Sequence, residues 1–112
     1  MATQKELFAA LKTLGLPVAY GEFIDTPENR APEPPFITYQ FTDGRGFKAD
    51  NQTYFGLENF DVELYTGRKS ATTEKQVEAK LNELRLPHTK VEAWIKAEKM
   101  RQVIYTIQIF GE

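Results

Sequence analysis

At 112 residues the chain has the length of one domain with one core, and 41% hydrophobic with 27% charged residues is the make-up of a folded rather than a disordered protein. A net charge of −2 offers nucleic acid no bulk attraction, and the absence of cysteine excludes disulfides, thiolate metal ligands and a Cys nucleophile. Met1–Glu6 lacks the basic start and apolar run of a signal peptide, and no apolar stretch nears the ~20 residues of a membrane crossing, so a soluble protein made and used in a cytoplasm is expected.

Thr3-Gln4-Lys5-Glu6 has the spacing of a capping box, in which hydroxyl and carboxylate satisfy the first free amides of a helix. Leu7, Leu11 and Leu14 then recur at i, i+4, i+7, predicting a helix over 4–14 that Gly15 and Pro17 end. Residues 18–24 suit a short strand. Asp25–Pro35 holds Pro27, Pro32, Pro34 and Pro35, which lack the ladder donor, and reads as a long exposed loop. Phe36–Thr42 alternates Ile37, Tyr39 and Phe41 with Thr38, Gln40 and Thr42, a half-buried strand. Asp43-Gly44-Arg45-Gly46 reads as a turn, residues 47–49 as the start of a return strand, and Asp50-Asn51-Gln52 as a polar break. A long extended segment over 53–65, bent near Gly56, follows; within it Phe60, Val62 and Leu64 alternate with Asp61, Glu63 and Tyr65.

Residues 66–70 lead to a second helix, for which Ser70, Thr72 or Thr73 can act as cap. Val77, Leu81 and Leu84 form its apolar stripe, Glu74, Lys75, Glu78, Lys80 and Glu83 its wet side, and Pro87 stops it. Residues 90–99 and 101–112 read as paired closing strands set against the 59–65 strand. The expectation is one α+β domain over 1–112: an antiparallel sheet of about four strands with two helices packed on one face. The other face, carrying Thr, Gln, Glu, Tyr and Trp, is left for water or another subunit.

Catalytic equipment is sparse. His88 is the only histidine and has no partner in sequence from which to build a metal cluster. Asp61 and Glu63, two apart on one strand face, have the residue types for a cation or for acid–base work, but alternation already accounts for them as a solvated face. The 43–46 segment lacks the phosphate-loop pattern. Arg68-Lys69 precedes a helix start, where basic charge is mildly unfavourable and an anion contact is the alternative reading. Trp94 alternates with Val91, Ala93 and Ile95 and so falls on the face away from the main core; it reads either as a core tryptophan on a twisted strand or as an interface anchor. From Arg85 to Arg101 the bases Arg85, Lys90, Lys96, Lys99 and Arg101 outnumber Glu92 and Glu98, whereas Asp50, Glu58, Asp61 and Glu63 stand with no base between them. Such patches suit a head-to-tail subunit contact, with Asp61, Glu63, Tyr65, Trp94 and Lys96 as candidate interface residues. No enzymatic activity, cofactor, metal or membrane partner is expected.

Residues 14–23 (Leu-Gly-Leu-Pro-Val-Ala-Tyr-Gly-Glu-Phe), 34–39 (Pro-Pro-Phe-Ile-Thr-Tyr), 49–51 (Ala-Asp-Asn), 60–66 (Phe-Asp-Val-Glu-Leu-Tyr-Thr), the second helix and 103–107 (Val-Ile-Tyr-Thr-Ile) together resemble tail-terminator or tail-completion (head–tail joining) proteins of long-tailed phages and prophages of Gram-positive bacteria. The resemblance spans most of the chain. It implies a structural protein of the virion, assembled in the host cytoplasm as a ring, typically of six copies, that caps the tail tube and docks to the head connector. Its partners would be other copies, the tail-tube protein and connector proteins. DNA would pass an acidic lumen without specific binding, since carboxylate repels phosphate. A head-completion or minor capsid protein, or a small protein-binding module anchored by Trp94 and Tyr65, are the alternatives.

Overall fold

The computed structural model describes residues 2–47 and 55–110. The order is α1 (Gln4–Lys12), β1 (Val18–Tyr20), β2 (Phe36–Phe47), β3 (Phe55–Thr66), α2 (Ala71–Glu83), β4 (Thr89–Ile95) and β5 (Met100–Phe110). The strands form one sheet in the order β1-β2-β3-β5-β4. The α+β class holds, but the sheet is five-stranded and mixed rather than four-stranded and antiparallel, because β1 runs parallel to β2, pairing Val18 with Ile37 and Tyr20 with Tyr39. A parallel neighbour needs a long crossover connection. The proline-rich segment between Tyr20 and Phe36 is that crossover; Asp25 Oδ1 accepts from the Ala31 amide at 3.0 Å within it, and the Pro34–Pro35 peptide is cis.

Helix α1 starts on the expected capping box: Thr3 Oγ1 accepts from the Glu6 amide at 3.3 Å, and Glu6 Oε1 accepts from the Thr3 amide at 3.3 Å. Gly15 turns the chain out of the helix at φ 79°, a left-handed conformation that costs glycine least. Helix α2 is capped by Ser70, whose hydroxyl accepts from the Thr73 amide. Its end precedes Pro87. Arg85 takes the left-handed conformation at φ 58°, and the Leu86 amide reaches back to the Leu81 carbonyl at 2.9 Å. Leu81 and Leu86 are both buried, supplying the apolar contact that accompanies such a helix end.

Both helices pack on one sheet face. Leu7 and Leu11 of α1 and Val77 and Leu81 of α2 join Ile37, Tyr39, Phe60, Val62, Leu64, Val103, Tyr105 and Ile107 in a single buried cluster. Burying each aliphatic side chain there contributes roughly 1.5–3 kcal/mol. The period-2 reading of β3 is borne out, with Phe60, Val62 and Leu64 all pointing into the core.

Strand β2 does not stop at Thr42. A register shift after Phe41 carries the ladder on through Asp43↔Asn59, Gly44↔Glu58 and Gly46↔Gly56 to Phe47↔Phe55, so the expected 43–46 turn is strand and Gly56 lies in a paired stretch. The shift is a bulge that bends the pair. The Phe41 ring lies 3.5 Å from where a Gly44 side chain would begin, filling the gap the glycine leaves. The expected break at 50–52, and residues 48, 49, 53, 54, 111 and 112 of the expected strands, lie outside the described residues. β4 ends at Ile95, shorter than expected, and Lys96–Lys99 form the turn into β5, with Lys99 at φ 52°.

Candidate functional site

The sheet face opposite the helices is built by alternation. Between the core positions of β2, β3 and β5 stand Thr38, Gln40, Asn59, Asp61, Glu63, Tyr65, Gln102, Thr106 and Gln108, which bond sideways across strands. Thr38 Oγ1 donates to Glu63 Oε1 at 2.7 Å and Gln40 Nε2 to Glu63 Oε2 at 3.2 Å. Thr106 Oγ1 donates to Asp61 Oδ1 at 2.8 Å, Gln102 Nε2 to the Tyr65 hydroxyl at 2.9 Å and Gln108 Nε2 to Asn59 Oδ1 at 3.2 Å. Asn59 Nδ2 in turn donates to Asp43 Oδ1 at 2.7 Å. Cross-strand pairs of this kind stiffen a sheet and satisfy its polar groups without water. A face so arranged suits a large, flat contact.

The crossover folds over one end of this face. Phe23 meets Phe36 edge-on at 5.4 Å between centroids, and Phe36 stacks on Tyr65 at 4.8 Å. A groove of about 390 Å³ runs between crossover and sheet, lined among others by Asp25, Pro32, Tyr65, Glu98 and Met100. Burial, and next the charge of Glu63, push the Tyr65 phenol above its ordinary pKa. It therefore stays protonated at neutral pH. Glu63 is not the solvated carboxylate that alternation implied: it is 7% exposed. Asp61 is the half-exposed member of the pair.

A second polar cluster lies on the helix side, between α2, β4 and β5. Glu74, expected on the wet side of α2, is 2% exposed. Its position three before Val77 and seven before Leu81 belongs to the apolar stripe, a signal present in the sequence but overridden by residue type. Glu74 Oε1 is 2.8 Å from Lys90 Nζ and 3.0 Å from Lys69 Nζ. Glu78 Oε2 receives Lys90 Nζ at 2.9 Å and the Tyr105 hydroxyl at 2.7 Å, while Lys69 also reaches Glu92. Burial alone would push both α2 carboxyls up, but bonding and charge, chiefly from Lys90 and joined by Lys69 at Glu74 and Tyr105 at Glu78, outweigh it and hold them below the ordinary range. The Glu74 and Glu78 bonds raise Lys90, and burial with the Glu78 bond raises the Tyr105 phenol far above its usual value.

The structure divides the five candidate interface residues. Asp61, Glu63 and Tyr65 share the open face, and Lys96 is exposed in the turn after β4. Trp94 is on the opposite face from that expected: it pairs with Arg101 on the helix side, half exposed, with the Arg101 guanidinium 5.8 Å from its ring. Val91 points the other way and is 58% exposed. The reason is chemical. α2 presents Glu74 and Glu78 to β4, so the Lys90 side of β4, not its apolar side, turns to the helices. Of the basic patch, Lys90 and Arg101 are already engaged within the chain. His88 is half-buried, its Nδ1 3.1 Å from the Leu86 carbonyl oxygen and its ring edge-on to Tyr105 at 5.5 Å.

No described protein family matches the chain in sequence, and no curated protein does. Sixteen chains of solved structures match in fold. One of them, a chain of the virion of a native gene transfer agent (GTA) particle, is 14% identical, aligns over 98% of this chain and 96% of its own length, and superimposes with a TM-score of 0.57. The α+β architecture is thus shared from end to end with a chain of that virion particle.

Proposed function

We propose that the protein is a non-catalytic structural component of a phage or phage-like virion, and within it a tail terminator or tail-to-head joining protein. The observation that carries the reading is the end-to-end correspondence of fold with a chain of the gene transfer agent virion, in which almost nothing on either side is left over. The sheet supports it: its open face spends its polar groups on cross-strand bonds, which favours presenting a rigid surface over turning over a substrate. In this role copies associate into a ring on the finished tail tube. One face of the ring blocks further tube growth and the other receives the head connector. Binding is steric and cooperative, and no covalent step is involved. Asp61, Tyr65, Trp94 and Lys96 are exposed or half-exposed and are assigned to contacts with neighbours, while Glu63 supports the face from beneath.

The test is complementation of a phage or particle lacking this protein, with electron microscopy of what assembles. Overlong or headless tails in its absence, restored to joined particles when it is supplied, are expected. Normal tails on infectious particles without it would sink the terminator role. Joined, normal-length tails on heads that lose their contents would instead indicate head completion.

A further inference from the structure

Strand β3 enters α2 through Gly67, Arg68, Lys69 and Ser70. Ser70 caps the helix with its hydroxyl to the Thr73 amide, and its carbonyl takes the Glu74 amide at 3.0 Å. The amides of Ala71 and Thr72 have no acceptor among the described residues. They open from the N-terminal end of a helix of 13 residues, where aligned peptide dipoles favour negative charge.

A cavity of about 370 Å³ lies at this helix start, lined among others by Pro35, Thr66, Arg68, Ser70 and Thr73. Arg68 is exposed and makes no ion pair among the described residues. Thr66 supplies the independent sign of a ligand. It is 4% exposed, and its place two residues after Leu64 turns its side chain to the helix side of the sheet. Its hydroxyl is buried without a hydrogen-bond partner among the described residues. A buried hydroxyl left unpaired is destabilising, and a bound acceptor would offset that. Glu74, the acid in the first turn of α2, does not repel an anion here unopposed, because Lys69 and Lys90 both bind its Oε1.

We propose that the start of α2 binds a phosphate group, free or carried on a nucleic-acid backbone. The donors are two amides along the helix axis, the Arg68 guanidinium and the Thr66 hydroxyl. Helix-terminal amides beside an arginine are the donor set that phosphate oxygens commonly find. The site is independent of the virion reading.

Titration of the intact protein with inorganic phosphate at constant ionic strength, followed by amide NMR, should shift Ala71 and Thr72 saturably. Acetate at the same concentration should shift them little. Arg68→Ala should weaken the apparent affinity about tenfold, the loss of one charge-assisted bond. Thr66→Val should raise the melting temperature without phosphate, by removing the unpaired hydroxyl, and weaken phosphate binding. A short DNA duplex that moves the same two amides would assign the phosphate to nucleic acid; movement with inorganic phosphate alone would assign it to the free ion. Shifts that fail to saturate, that acetate reproduces, or that both variants retain at full affinity would overturn the site.

Discussion

Glu63→Lys is expected to leave the domain unfolded or barely folded in buffer, whereas Asp61→Lys, two residues away on the same strand face, should cost about 0.5 kcal/mol. The two carboxylates look equivalent in sequence, but Glu63 is 7% exposed and accepts hydrogen bonds from the buried Thr38 hydroxyl and from Gln40. Lysine there would replace the carboxylate with a buried cation and strip the two donors of their acceptor. Losses of this kind run to about 4–5 kcal/mol or more, against a total stability of roughly 5–15 kcal/mol for a domain. Asp61 loses only the half-exposed bond from Thr106. Glu63→Gln, which keeps an acceptor, should cost about 1 kcal/mol. Urea unfolding followed by circular dichroism ranks the three. Equal, small losses for both lysine variants would mean that the Glu63 side chain reaches water. Charge reversal at Glu63 is therefore no probe of subunit assembly, and Asp61→Lys is the clean one.

Lys90→Met should cost about 2 kcal/mol at pH 7, and the deficit should shrink on acidification. Lys90 bridges Glu74 and Glu78 of α2 to an edge strand, and Glu74 is almost wholly buried. Breaking a buried pair costs about 3–5 kcal/mol. Here it is discounted, because Lys69 remains beside Glu74 and the Lys90 side chain is 36% exposed. The folded-state pKa values of Glu74 and Glu78 lie below their ordinary value. Their ionised forms thus stabilise the fold fully above the unfolded carboxylate pKa of ~4.3, and that stabilisation is lost as pH falls through the lower folded values. Without Lys90 less of it exists to lose. Melting temperatures of parent and variant should therefore converge between pH 7 and pH 3, and a constant gap would show that Lys90 acts through its alkyl chain rather than its charge.

Local chemistry made much of this fold legible. The capping box at Thr3 and Glu6, the Gly15 exit, the Val77–Leu81 stripe and the alternation of β3 stand as the sequence implies, because each is decided by residues within a turn or two of one another. What was not legible depends on partners distant in the chain. The β1–β2 pairing is parallel because the proline-rich connection is long enough to carry the chain back across the sheet, and nothing in Val18–Tyr20 encodes direction. Gly44 and Gly46 carry turn chemistry, yet the bulge after Phe41 and the packing of its ring keep them in the ladder. Glu74 has the identity of a surface residue in a core position, tolerable only because Lys69 and Lys90 arrive from elsewhere. Trp94 stands on the helix side for the same cause: the apolar side of β4 would ordinarily turn inward, but the carboxylates of α2 turn it outward.

The pairing of β3 with β5, which brings Thr66 beside Arg101 and Leu57 beside Phe110, has a kinetic consequence. β2 and β3 are neighbours in sequence and can zip as a local pair, whereas β5 must close a loop containing all of α2 and β4 before its first bond is rewarded. β4, whose side chains are almost all exposed, has little to dock against until β5 is in place. The Lys90 bridges then form on the native side of the folding barrier, and their loss belongs to the unfolding arm of a chevron. Such a protein would be slow to gather its last two strands, and quick to shed them when the clasp between helix and edge strand is cut.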